Sequence, residues 1–87
     1  MNDNQPDQEF WDLADSFINM ANEQMEHSDP GKVSSAILYA AARFNAFIVA
    51  NTTEEDFESE KAGALRYFTK QYRVMLEESL EDFESEQ

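Results

Sequence analysis

Apolar residues recur at three- and four-residue spacing along most of the chain, the period of an amphipathic α-helix. Phe10, Leu13, Ala14, Phe17, Ile18, Ala21 and Met25 mark the first stripe and predict a helix over about residues 7–27, with Pro6 suited to its first turn. "SDPGK" at 28–32 then breaks the pattern. Asp29 can cap a helix, Pro30 can take its first position, and the residue before a proline is pushed out of helical geometry, so a second helix starts near residue 30. Its core face reads Val33, Ala36, Ile37, Ala40, Phe44, Phe47 and Ile48, and "NTTEED" closes it near residue 51. Thr52 followed by Glu55 has the form of a capping box, while Glu54, Glu55 and Asp56 complement the positive end of a new helix dipole. A third helix is therefore predicted over about residues 53–83, its stripe running through Phe57, Ala64, Leu65, Phe68, Tyr72, Met75, Leu76 and Phe83. Lys61 falls on that stripe, so either it snorkels or the packing begins after it. No alternating β pattern competes.

Short connections favour antiparallel neighbours, so the expected fold is all-α: one domain, residues 1–87, built as a three-helix antiparallel bundle. The second helix is apolar on more sides than such a bundle needs. Leu38, Ala42, Asn45 and Val49, with Ser35, Tyr39 and Ala46 alongside, form a second face. Either the first and third helices wrap both sides, or a second copy packs there. A chain this small gains most from the second option, so completion by homodimerisation is expected, with small residues such as Ala42 and Ala46 at the two-fold axis and Asn45 setting register near it. From Glu77 onward there are six acids and no base, against the negative end of the helix dipole, so the last residues are expected to fray. The hexapeptide "EDFESE" occurs at 55–60 and 81–86, but its flanks do not match and it marks no structural repeat.

Charge narrows the function classes. Nineteen acids against six bases leave a net charge of −13, which repels nucleic-acid phosphates and anionic membranes. The segment 33–53 is the exception, with Arg43 as its one charged side chain. It is long enough to span a bilayer, but a central arginine costs at least about 2.5 kcal/mol there, so a buried helix of a soluble protein is expected rather than a membrane span. The absence of cysteine excludes disulfides and thiolate metal sites. The first thirty residues carry Asp3, Asp7, Glu9, Asp12 and Asp15 with no base and no unbroken apolar run, unlike a secretory signal, and a cytoplasmic location is expected.

Candidate chemistry is sparse. His27 stands four residues after Glu23, whereas helical di-metal carboxylate sites use a three-residue spacing repeated on facing helices; a solvated helix-end histidine is expected and no metal. Gly31 and Gly63 are the only glycines, so no phosphate loop can form, and Ser34 and Ser35 have no neighbouring base. These readings point to no enzyme and no cofactor. Arg66, Lys70 and Arg73 form a basic stripe where a phosphate or acidic partner could dock, though the expected reading is that it balances the acidic surface, partly through Glu77. Arg43 is different, because its own helix offers little water-facing surface. Trp11, Asp15, Ile18 and Asn22 border the core face of the first helix, and Asp15 is the natural bidentate partner of Arg43, with Asn22 able to complete the cluster. Asp15, Asn22, Arg43 and Asn45 are thus the expected buried polar cluster, fixing how two helices register.

"LADSFINMAN" at 13–22 and "YAAARFNAF" at 39–47 combine Asp, Arg and Asn at fixed places among apolar residues. They resemble the signature of a small bacterial family of acidic all-helical proteins of unknown function, and the resemblance continues through "YFTKQYRVML" at 67–76. It implies a bacterial, cytoplasmic helical protein with no assigned activity, and supplies no catalytic residues. The expected function is a non-enzymatic helical interaction or structural module, a homodimer that can also engage another protein. Two alternatives stay open. The acidic rows "TTEEDFESE" and "LEESLEDFESE" would let the protein imitate nucleic acid and occupy a basic partner. Arg43 in a pocket between helices would instead bind a small anion.

Overall fold

The computed structural model of the protein describes residues 7–52 and 56–86. All the regular structure in them is helical: α1 spans Gln8–Gln24, α2 Pro30–Thr52 and α3 Phe57–Ser85, in agreement with the all-α class that the spacing predicts. The chain divides into two compact units, Met1–Phe44 and Asn45–Gln87, so the division falls within α2.

The helix starts follow from side-chain caps. Asp7 is extended at the N-cap of α1 and its carboxylate accepts from the Phe10 N–H at 2.9 Å; Pro6 lies outside the described residues. Asp29 does the same for α2, accepting from the Lys32 N–H at 3.1 Å, with Pro30 as the first helical residue. Each cap satisfies one of the four amide donors that a helix leaves free at its start. Gly31 sits beside this cap, where an added Cβ would lie 3.0 Å from the Asp29 carboxylate.

The ends differ from expectation in instructive ways. α1 stops at Gln24 rather than near residue 27, because Glu26 and His27 donate to the carbonyls of Glu23 and Gln24, three residues back, at 3.1 and 3.0 Å. That tighter turn unwinds the last predicted α-turn. Thr52 does not cap α3. Its hydroxyl donates to the Ile48 carbonyl at 2.8 Å, and the Asn51 amide donates to the Phe47 carbonyl at 2.7 Å, so both side chains serve the exposed carbonyls ending α2. Glu54 and Glu55, the rest of the predicted capping sequence, lie outside the described residues. α3 begins at Phe57, four residues later than predicted, with Asp56 as N-cap accepting from the Glu58 N–H at 3.1 Å. At the other end α3 runs to Ser85, past the expected fraying point. Glutamate is a good helix former, and its propensity outweighs the unfavourable dipole there.

Burial is thin. In the first unit Val33 is buried and Ala14 and Ala21, two turns apart on α1, are half-buried. In the second unit the half-buried positions are Asn45 and Val49 on α2 and Ala64, Phe68 and Gln71 on α3, again at helical spacing. Val33 belongs to the predicted core face of α2, whereas Asn45 and Val49 belong to the second face. Large side chains on the predicted stripes stay open to solvent, Phe17 at 68% and Leu65 at 71% exposure among them. The expectation of a buried second helix is thus corrected: Val33 is its one buried residue. Periodicity identifies which stripe is apolar, but it does not supply a surface to cover that stripe.

Candidate functional site

The polar cluster read from the sequence is not buried. Asp15, Asn22 and Arg43 are exposed and Asn45 is half-buried; among the described residues no polar or charged side chain is fully buried. Neither Asp15 nor Arg43 belongs to an ion pair among the described residues. The premise of the pairing was that α2 leaves Arg43 little water. With the face around it solvated, the guanidinium needs no carboxylate partner.

The charged stripe of α3 is built as expected. Arg73 Nε donates to Glu77 Oε1 at 2.9 Å, four residues on, and Lys61 Nζ stands 3.5 Å from Glu58 Oε1, so Lys61 reaches solvent instead of entering the stripe. The pair Arg73–Glu77 is open to water, with the arginine side chain 80% exposed, and an exposed pair of this kind contributes only about 0.3 to 0.5 kcal/mol. His27 is exposed in the turn after α1. Among the described residues no group of three or more His, Cys, Asp or Glu side chains is arranged to hold a metal ion.

What stands out chemically is apolar surface. α1 presents Trp11, Phe17 and Ile18 to solvent, α2 presents Ile37, Leu38 and Tyr39, and α3 presents Leu65, Tyr72, Leu76, Leu80 and Phe83. α2 is also long and apolar enough to cross a membrane by length and composition. On α3 the exposed residues fall in an order that was not read from the sequence. Leu65, Thr69, Tyr72, Leu76, Ser79 and Phe83 are all exposed and follow one another at steps of four, three, four, three and four. This is the a/d alternation of a coiled-coil seam. The half-buried residues Ala64, Phe68 and Gln71 occupy the adjoining face, so the seam is left open within its unit. The signal was present in the sequence: dividing the broad α3 stripe into two heptad lines would have separated them.

These features define an all-helical protein with solvated charges and exposed apolar helix faces. The chain belongs to the family described as Protein of unknown function (DUF3144), whose model matches residues 10–83. No curated protein and no solved structure matches it.

Proposed function

We propose that the protein is a non-enzymatic interaction module that works through its helix faces, and that its first partner is a second copy of itself. The observation that carries this reading is the mismatch between apolar content and burial: aromatic and aliphatic side chains are exposed on all three helices, while Val33 is the one buried apolar residue among the described residues. Most of the stability of protein helices comes from packing an amphipathic face rather than from propensity. A chain of this length has little core to spare, and association is the usual remedy. Arg43 stands near the middle of α2, which favours a protein partner over a bilayer for that helix. The same reading keeps the protein in the cytoplasm and away from nucleic acid, in line with its net charge of −13.

Sedimentation or light scattering at micromolar concentration tests it. A particle of twice the chain mass of 10.1 kDa is expected, dissociating on dilution. A clean monomer across that range, or recovery of the protein with the membrane fraction of cells, would overturn the reading.

A further inference from the structure

We infer that two copies associate through α3, antiparallel, with the register centred near residue 74. This rests on the self-association reading above and adds its surface and geometry. The apolar pattern and the charge pattern of α3 both have the symmetry that such a pairing requires. In an antiparallel seam an a position of one helix meets a d position of the other. Centring the pair at residue 74 sets Leu65 opposite the other copy's Phe83, Thr69 opposite Ser79, and Tyr72 opposite Leu76, so large apolar groups meet large apolar groups and hydroxyl meets hydroxyl.

Charge then selects the direction. From Lys61 to Leu76 the helix carries Lys61, Arg66, Lys70 and Arg73 and no acid; from Glu77 to Glu86 it carries six acids and no base. Arg66, Lys70, Glu78 and Asp82 are all exposed. In the antiparallel register the basic half of each helix lies along the acidic half of the other, with Arg66 level with the other copy's Asp82 and Lys70 level with its Glu78. A parallel pair would instead lay basic half along basic half and acidic half along acidic half. Like charges facing each other across a helix pair disfavour that arrangement. α2 is the competing surface, but its second face is half covered at Asn45 and Val49 within the chain, and it has no comparable charge pattern: its charged residues are Lys32 and Arg43.

Charge-swapped variants of the full chain test both surface and direction. Arg66→Glu with Lys70→Glu makes both halves of α3 predominantly acidic, and Glu78→Lys with Asp82→Lys carries basic charge onto the acidic half. The first variant alone is expected to self-associate at least tenfold more weakly than the wild type, and its one-to-one mixture with the second to form a mixed dimer in preference to either homodimer. Recovery in the mixture excludes simple misfolding. Because the native chain has no cysteine, a single spin label reports the geometry directly. Labels at Glu60→Cys should lie about 42 Å apart along the helix axis at a rise of 1.5 Å per residue, whereas labels at Val74→Cys, on the outer face at the centre of the register, should have no axial offset and so the shorter distance, the width of the pair. Equal distances at the two sites would mean a parallel pair. Swapped variants that dimerise like the wild type, or a dimer split by Ala42→Glu and indifferent to the swaps, would place the interface elsewhere; any of these outcomes overturns the α3 arrangement while leaving self-association standing. A wild type that stays monomeric overturns both.

Discussion

At the scale of single residues, Asp29 and Arg43 exchange the importance that their chemistry suggests. Arg43 is the conspicuous residue of the sequence, yet it is solvated, and substitutions at such positions usually change stability by no more than about 0.5 kcal/mol. Arg43→Ala is therefore expected to be nearly neutral in urea unfolding followed by circular dichroism at fixed protein concentration. A loss of about 3 to 5 kcal/mol would mean that assembly buries the guanidinium and its partner after all. Asp29 is an ordinary surface acid by composition, but it accepts from the Lys32 N–H and starts α2. Asp29→Ala should cost about 1 kcal/mol, the usual value for losing an N-cap, with Asp29→Ser recovering most of it. The contrast shows what was legible. The Asp29–Pro30 start and the Arg73–Glu77 pair depend on neighbours within four residues, and both were read correctly. Thr52 was misread because its hydroxyl has two local uses, capping forward or bonding back to the carbonyl four residues earlier, and the sequence carries both options equally. The Asp15–Arg43 pairing failed for another reason: it needed two helices to close over it.

At the scale of elements, periodicity located all three helices, and their errors are confined to the ends. That is where capping side chains compete for a few free amides and carbonyls. α3 offers a direct check on how much of its stability is local. Gly63 lies in its first two turns, and an added Cβ there would meet nothing within 4 Å. Gly63→Ala should then stabilise the protein by roughly 0.5 to 1 kcal/mol, through the backbone entropy that glycine loses in a helix. Gly31→Ala should gain less, because its Cβ would press on the Asp29 carboxylate that caps α2. Parallel melts of the two variants give the comparison, and a destabilised Gly63→Ala would reveal a contact at that site formed only on assembly. What periodicity left unread at this scale was the division of a broad apolar face into lines with different covers. On α3 one line, through Ala64 and Phe68, is half-buried in its unit, and the other, through Leu65 and Tyr72, is exposed there. Both lines look alike in a hydropathy pattern.

At the scale of the whole molecule, the net charge of −13 decides how any partner is met, and it opposes self-association. Two such charges about 20 Å apart in water repel by several kcal/mol at 0.1 M salt, where the screening length is about 10 Å, and by a small fraction of that near 0.5 M. The flanking pairs on α3 are exposed, so each contributes about 0.3 to 0.5 kcal/mol, enough to favour one direction of pairing but not to outweigh the repulsion. Added salt should therefore tighten self-association even though it weakens those pairs. Between 0.1 and 0.5 M sodium chloride the dissociation constant measured by sedimentation is expected to fall by at least about tenfold, a change of about 1.4 kcal/mol. The sign of this dependence also separates the two uses of an acidic surface. A nucleic-acid mimic seated on a basic protein would be released by the same salt, because its affinity comes from opposite charges and counterion release. If self-association tightens with salt, the acids serve to keep copies apart until their apolar faces meet. Self-association that weakened with salt would show that attraction between acidic and basic stretches, rather than apolar burial, holds the copies together.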